Sequence, residues 1–371
     1  MSEIGAAIGP AGVVRGVLHA CVAIDLGEEI DLPRAKGLVP ANYHELPRQA
    51  RTPPSIGYQP APLRFVSPGI EIELPELGRT NAAADVTLFD FAAASVALHV
   101  PFALDAAALR RTAAALSDPA PLVRAAEAVL RPLHERLLPA IRAPRWSELS
   151  EEYLVFQLVP GDSLPSPEEL VERHALWLAG LVRLDDATFT EREIAEALRL
   201  RLSYGYDDLV VADWAAAVLV EREAEELLET IAFANLQLLE LRHIDARLDR
   251  QLQTAYEFIH QLARRWLPFW RTHGRPLRVL GELKVEANEM LERTGNVLKL
   301  IGDQYVARVY RMLAVRFHLD EWGQSIRRSL GVLEGIYTVV ADQSATLRTE
   351  LLEAIIVLLI LVEIVLSLTG H

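Results

Sequence analysis

The stretch DVTLFDFAAASVALHVPFALDAAALRR, residues 85–111, decides the fold class of this chain. Val86 and Leu88, with the aromatics Phe89 and Phe91, read as one strand, and Val96, Leu98 and Val100 alternate as a second. Asp105 is then placed as an N-cap before an alanine-rich helix, with Leu104 positioned to staple its first turn. The same alternation continues outward. Upstream, Val13 to Leu26 predicts a strand, and Leu63 to Val66 and Ile70 to Leu74 predict two short ones. Nine prolines between Pro33 and Pro75 argue against any helix there, because each removes a donor and clashes with the preceding turn. Downstream, helix is expected from about Leu122 to Ile141, over Pro165 to Leu184 and over Glu191 to Leu202. Tyr153 to Val159 is expected to be a strand, and Leu209 to Asp213 with Ala217 to Val220 a hairpin. The expectation is an α+β chain whose residues 1–220 form a mixed α/β domain, irregular over 33–75.

From Glu221 onward nothing reads as a strand. Leu227, Ile231, Ala234, Leu238, Leu241, Asp245, Leu248 and Leu252 are spaced alternately by four and three, with Asp245 as the charged seam position. Ile326, Leu330, Leu333, Tyr337 and Val340 repeat the pattern after a candidate cap at Asp320. Residues 221–351 are therefore expected to form a long antiparallel helical hairpin, with a third helix packed on it. An intramolecular bundle and an intermolecular coiled coil both fit. Asp245 in either seam needs a buried partner, such as Arg242 or an arginine on a facing helix, or else it specifies register.

The run AIIVLLILVEIVLSLT, Ala354 to Thr369, carries a single charge, Glu363. Residues 352–370 read as a C-terminal transmembrane anchor. Arg327, Arg328 and Arg348 on its N-terminal side would keep the body in the cytoplasm. Glu363, Ser367 and Gly370 form a small polar stripe, expected to face another tail in a homo-oligomer.

Composition narrows the function classes. Lys+Arg total 37 against 51 Asp+Glu, a formal charge of −14, which argues against nucleic-acid binding as the main activity. A single cysteine, Cys21, excludes an internal disulfide and any multi-cysteine metal site. There is no phosphate loop of Walker type, no dinucleotide fingerprint and no G-x-S-x-G elbow, and no two histidines share a ligand spacing. No cofactor is expected. Two clusters stand out. Tyr204-Gly205-Tyr206-Asp207-Asp208, with Asp213-Trp214 beyond, offers Asp207, Asp208 and Asp213 as cation ligands or as acid and base; turn chemistry explains the same residues. The second is Arg264, Arg265, Trp266, Trp270, Arg271, Arg275 and Arg278, a basic and aromatic stretch suited to a polyanion or a membrane surface, or to a plain helix connection.

The strand Asp85 to Phe91, the long helical hairpin and the closing segment Leu351 to Leu368, with Leu352-Glu353 and Glu363, together resemble the "required for meiotic nuclear division" family. Ala354 stands where many members carry tryptophan, and the Tyr206 to Trp214 hairpin looks like a bacterial branch. The resemblance implies a membrane-associated, oligomeric, non-catalytic protein. The expected function is a membrane-anchored scaffold displaying an α/β domain on a helical stalk. The alternative is a membrane-tethered metal-dependent hydrolase or nucleotide-binding enzyme using the three aspartates.

Overall fold

The computed structural model describes residues 9–40, 43–45, 60–161, 164–264, 281, 283–285, 287–292 and 303–369. The chain forms two compact units, Met1–Glu240 with Thr294–Asp320, and Leu241–Arg293 with Glu321–His371.

The first unit is a mixed α/β fold. Its strands and helices are β1 (Val13–Asp25), β2 (Glu29–Ile30), α1 (Leu32–Lys36), β3 (His44–Glu45), β4 (Leu63–Leu74), β5 (Gly78–Leu88), β6 (Ala93–Asp105), α2 (Ala106–Ala115) and α3 (Ala120–Leu137). There follow β7 (Ile141–Arg142), β8 (Ser150–Leu158), α4 (Pro167–Arg173), α5 (Ala175–Arg183), α6 (Glu191–Ala197), β9 (Arg201–Leu202), β10 (Leu209–Ala212) and β11 (Ala216–Val220). Three longer helices follow, α7 (Glu225–Arg264), α8 (Gln304–Arg316) and α9 (Leu319–Thr369), and residues 281, 283–285 and 287–292 between α7 and α8 are also helical.

Nine strands form one sheet in the order β3-β4-β5-β6-β1-β8-β11-β10-β9. Neighbours are antiparallel except β8 and β11, which run parallel. Central β1 pairs with β6 from Val13↔Asp105 to Asp25↔Ala93, and with β8 on its other edge. Its residues are buried on both faces from Leu18 to Asp25. Leu18, Ala20, Val22 and Ile24 join Leu109 of α2, Leu130 of α3 and Trp177 of α5 in one core. Each such large side chain gains roughly 1.5–3 kcal/mol by leaving water. Trp177 keeps its indole N–H satisfied on the Ala106 carbonyl at 2.8 Å, which ties α5 to α2. The opposite face, with His19 and Cys21, lies under the first turns of α7. Asn235 of α7 donates to the Cys21 and Glu151 carbonyls at 3.4 and 3.0 Å. Gly16 lets β8 come close: a Cβ there would lie 2.0 Å from the Gln157 carbonyl oxygen.

Local expectations meet tertiary context at several points. Asp105 does cap α2, accepting from the Ala108 amide at 2.7 Å. A short helix nevertheless forms in the proline-rich segment: Pro33 occupies the first turn of α1, where no amide donor is needed, and Asp31 caps it. The two short strands around Pro68 are one strand, β4, with an irregularity between Ser67 and Ile70. Helix α6 stops at Ala197, because Arg201 and Leu202 pair with Val211 and Val210 of β10.

In the second unit, Leu248 and Ala255 of α7, Leu283, Ala287 and Met290 of the following helical residues, and Ile326, Leu330 and Leu333 of α9 are buried. Lys284 donates to both carboxylate oxygens of Glu334, at 3.0 and 2.9 Å. Asp245 is half-buried in α7. Burial, and then the neighbouring Asp249, push its carboxyl above the usual carboxylate range. A raised folded pKa means that protonation favours the fold, and that stability is lost as pH rises through it. Asp245→Asn is therefore expected to raise the melting temperature at neutral pH and to have little effect in acid. Thermal melts at both pH values check this, and equal shifts at both would reject it.

The C-terminal transmembrane helix is not found. Among the described residues no helix is long and apolar enough to cross a membrane. The physical reason is length and continuity. Sixteen residues from Ala354 rise ~24 Å against a hydrocarbon core of ~30 Å. They are also the end of α9, a continuous helix of 51 residues whose earlier part is amphipathic and charged. With the anchor go the tail as a membrane partner and the single-pass location with a cytoplasmic body. Glu363 is exposed, while the Ser367 side chain and Gly370 lie outside the described residues. So does the arginine-aromatic stretch: Arg265, Trp266, Trp270, Arg271, Arg275 and Arg278 are not described, and only the backbone of Arg264 is, in α7.

Candidate functional site

Between the sheet and the first turns of α7, within the first unit, lies a cavity of about 160 Å³. Strand alternation builds its floor, since every second residue of a strand shares a face. Arg64 of β4, Asp85 and Thr87 of β5, Ser95, Ala97 and His99 of β6, and His19 and Cys21 of β1 all line it. The register brings them together: Arg64 is opposite Thr87, Thr87 opposite Ser95, Cys21 opposite Ala97, and His19 opposite His99. Helix α7 supplies the roof through Glu225, Leu228, Glu229 and Ala232, spaced as one helical face. Small residues on the floor, Cys21, Ser95 and Ala97, leave the space open.

One chain of hydrogen bonds fixes the protons at one end. The Gln157 amide nitrogen donates to the carbonyls of Glu221 and Arg222, at 3.0 and 3.2 Å. Its oxygen therefore faces His19 Nε2, 2.9 Å away, and must accept from it. Burial, and then the charge of His99, lower the His19 pKa to about 4, so the ring is neutral with its proton on Nε2. His19 Nδ1 is then an acceptor, and His99 Nδ1 donates to it across 2.7 Å. His99 Nε2 stands 3.3 Å from Asp85 Oδ2. At the other end Arg64 forms an ion pair with Glu229. Burial raises the Glu229 carboxyl, Arg64 counters it, and Glu225 and Glu226 add to the rise. Burial pushes the Cys21 thiol up to about 12, so it carries no thiolate at neutral pH.

Of the three aspartates singled out from the sequence, Asp208 and Asp213 bond to separate partners. Asp207 is exposed. Asp208 accepts from the amides of Tyr204 and Gly205 and from the Tyr305 hydroxyl. Burial alone would raise its carboxyl, and those hydrogen bonds hold it below the usual range instead. Asp213, 4% exposed, lies between arginines: Arg183 Nε is 2.7 Å from Oδ2 and Arg316 Nη2 is 2.8 Å from Oδ1. Its Oδ1 also accepts from the Trp214 amide, and its carbonyl accepts from the Tyr153 hydroxyl. Among the described residues no group of three or more His, Cys, Asp or Glu side chains could hold a metal ion.

Sequence reasoning missed the cavity residues. Its available signal was slight: His19 and His99 each interrupt an otherwise apolar strand.

Over residues 15–226 the chain matches the model of a family described as "Uncharacterized protein MJ0711, N-terminal domain". A relative from Methanocaldococcus jannaschii, "Uncharacterized protein MJ0711", is 26% identical over 213 residues, 54% of this chain and 62% of that protein. The chain thus spans under two thirds of that relative's length. No solved structure matches. Neither match carries the likeness to the "required for meiotic nuclear division" family. All of the nine-stranded sheet but the first two residues of β1, and the cavity residues from His19 to Glu225, fall within the matched segment, and the chain belongs to the family of the MJ0711 N-terminal domain.

Proposed function

We propose that this protein is a non-catalytic scaffold that assembles with copies of itself through the apolar end of α9. One observation carries the reading. Ile355, Ile356, Val357, Leu359, Ile360, Leu361, Val362 and Ile364 are all exposed in the single chain. At 3.6 residues per turn these positions surround the helix. A helix end that exposes apolar side chains on all sides, with Glu363 its one charge, is stable in water only when other elements cover it on more than one side. Copies arranged about a rotation axis supply such cover, and closed symmetric homo-oligomers are the commonest assemblies. The unreactive Cys21 thiol and the engagement of Asp208 and Asp213 in structural bonds favour interaction over catalysis. The resemblance of residues 85–368 to the "required for meiotic nuclear division" family, which implies an oligomeric non-catalytic protein, supports the same reading.

Light scattering on a sizing column tests it. The full chain is expected to run as a multimer at micromolar concentration, a chain ending at Thr349 as a monomer, and Leu361→Arg at a lower order than wild type. A full-length monomer, or a truncated chain that stays multimeric, would reject the role of α9.

A further inference from the structure

We propose that, given the self-assembly through the end of α9 put forward above, Glu363 makes that assembly pH-dependent: copies associate as its carboxylate takes up a proton and separate as it ionises.

Ile356, Leu359 and Ile360 precede Glu363 by seven, four and three residues in α9, so all four share one face of the helix. The three apolar side chains are exposed, and so is Glu363. The carboxylate therefore does not stand on a polar side that an assembly could leave in water. An element that covers these three side chains covers Glu363 with them.

No counter-charge comes with that cover. From Ala354 to Thr369 Glu363 is the one charged residue. The nearest charged side chain described on the same helix is another acid, Glu353, ten residues upstream and about 15 Å along the axis. The nearest arginine in sequence is Arg348, fifteen residues upstream and about 22 Å along the axis. His371 lies outside the described residues. In the assembly, the elements packed against Glu363 are the α9 ends of other copies. When their apolar runs overlap, in either direction, Glu363 meets apolar side chains or the Glu363 of another copy. Transfer of an ionised carboxylate into apolar surroundings is unfavourable, and such a group keeps its proton instead. Two carboxylates brought close together add repulsion in the same direction. The assembled state thus binds more protons than the separated chains, and a process that takes up protons is favoured as pH falls. Association strengthens by up to about tenfold per pH unit for each proton taken up.

The test is sedimentation velocity on the full chain, over a range of protein concentrations, from about pH 8 to about pH 5.5, with Glu363→Gln and Glu353→Gln alongside. The wild-type association constant is expected to rise at least about tenfold across this range. Glu363→Gln keeps the shape of the protonated acid and removes its titration. It should associate at the upper pH as tightly as wild type does at the lower one, with no rise between them. Glu353→Gln should keep the wild-type dependence. The remaining carboxylates titrate in all three proteins and cancel in the comparison. Wild type that assembles equally at both ends of the range, Glu363→Gln that retains the wild-type rise, or Glu353→Gln that loses it would each overturn the role of Glu363 and leave self-assembly standing. All three proteins monomeric at every pH and concentration would remove the assembly itself, and the switch with it.

Discussion

Asp213→Ala is expected to destabilise the first unit by about 3 kcal/mol, at the lower end of the ~3–5 kcal/mol seen when one partner of a buried ion pair is removed. The side chain of Asp213 is 5% exposed and that of Arg316 is 12% exposed. Deleting the carboxylate leaves Arg316 largely desolvated without its nearest counter-ion. Glu196 stays within reach of Arg316, at 3.6 Å, and limits the loss. The substitution also removes the acceptor of the Trp214 amide. These contacts join the turn between β10 and β11 to α5, through Arg183, and to the end of α8, through Arg316. Asp213→Asn keeps an acceptor for Trp214 and separates the charge from the hydrogen bond. Urea unfolding followed by circular dichroism measures both. A midpoint for Asp213→Ala equal to that of wild type would show that the arginines are satisfied elsewhere and that the pair does not hold the turn.

The second large effect is on acid stability. His19 has a folded pKa of about 4 against an ordinary 6.5. Between those values the unfolded chain binds a proton that the folded ring refuses, so stability falls as pH falls through that window. At ~1.36 kcal/mol per pH unit the whole shift corresponds to about 3 kcal/mol, fully present above pH 6.5 and lost on approach to pH 4. Burial is the main cause, and the His99 charge adds to it. His19→Gln removes the titrating ring while retaining polar atoms beside Gln157. Urea midpoints taken from pH 7 to pH 4 should converge, with wild type losing stability faster than the variant. Carboxylates titrate in both proteins and cancel in the comparison. Parallel curves would mean that His19 is protonated in the folded state, and that the hydrogen-bond chain from Gln157 to Asp85 is arranged differently.

Much of the first unit was legible because its signals are local. The alternation in residues 86–100 and the Asp105 cap depend only on side-chain period and on one amide bond, and both are present in β5, β6 and α2. So was the change to helix after Glu221, where the spacing of four and three is itself the geometry of one helical face. Tertiary context decided the rest. Arg201 and Leu202 have a helical neighbourhood, yet an open strand edge at β10 offered them ladder bonds that outweigh weak propensity. The parallel pairing of β8 with β11 joins residues about sixty positions apart, which no short-range pattern encodes. The cavity is of the same kind. His19 and His99 meet across 80 residues, and Arg64 meets Glu229 across 165. Each is an unremarkable residue in its own segment, and its role exists only once the register of four strands and one helix is set. The tail marks the boundary between the two kinds of information. Composition determined that residues 354–364 leave water readily, since hydrophobic transfer is a property of the side chains alone and has no direction. What they leave it for depends on the length of the helix they belong to and on the surfaces that meet it, and those are properties of the folded chain.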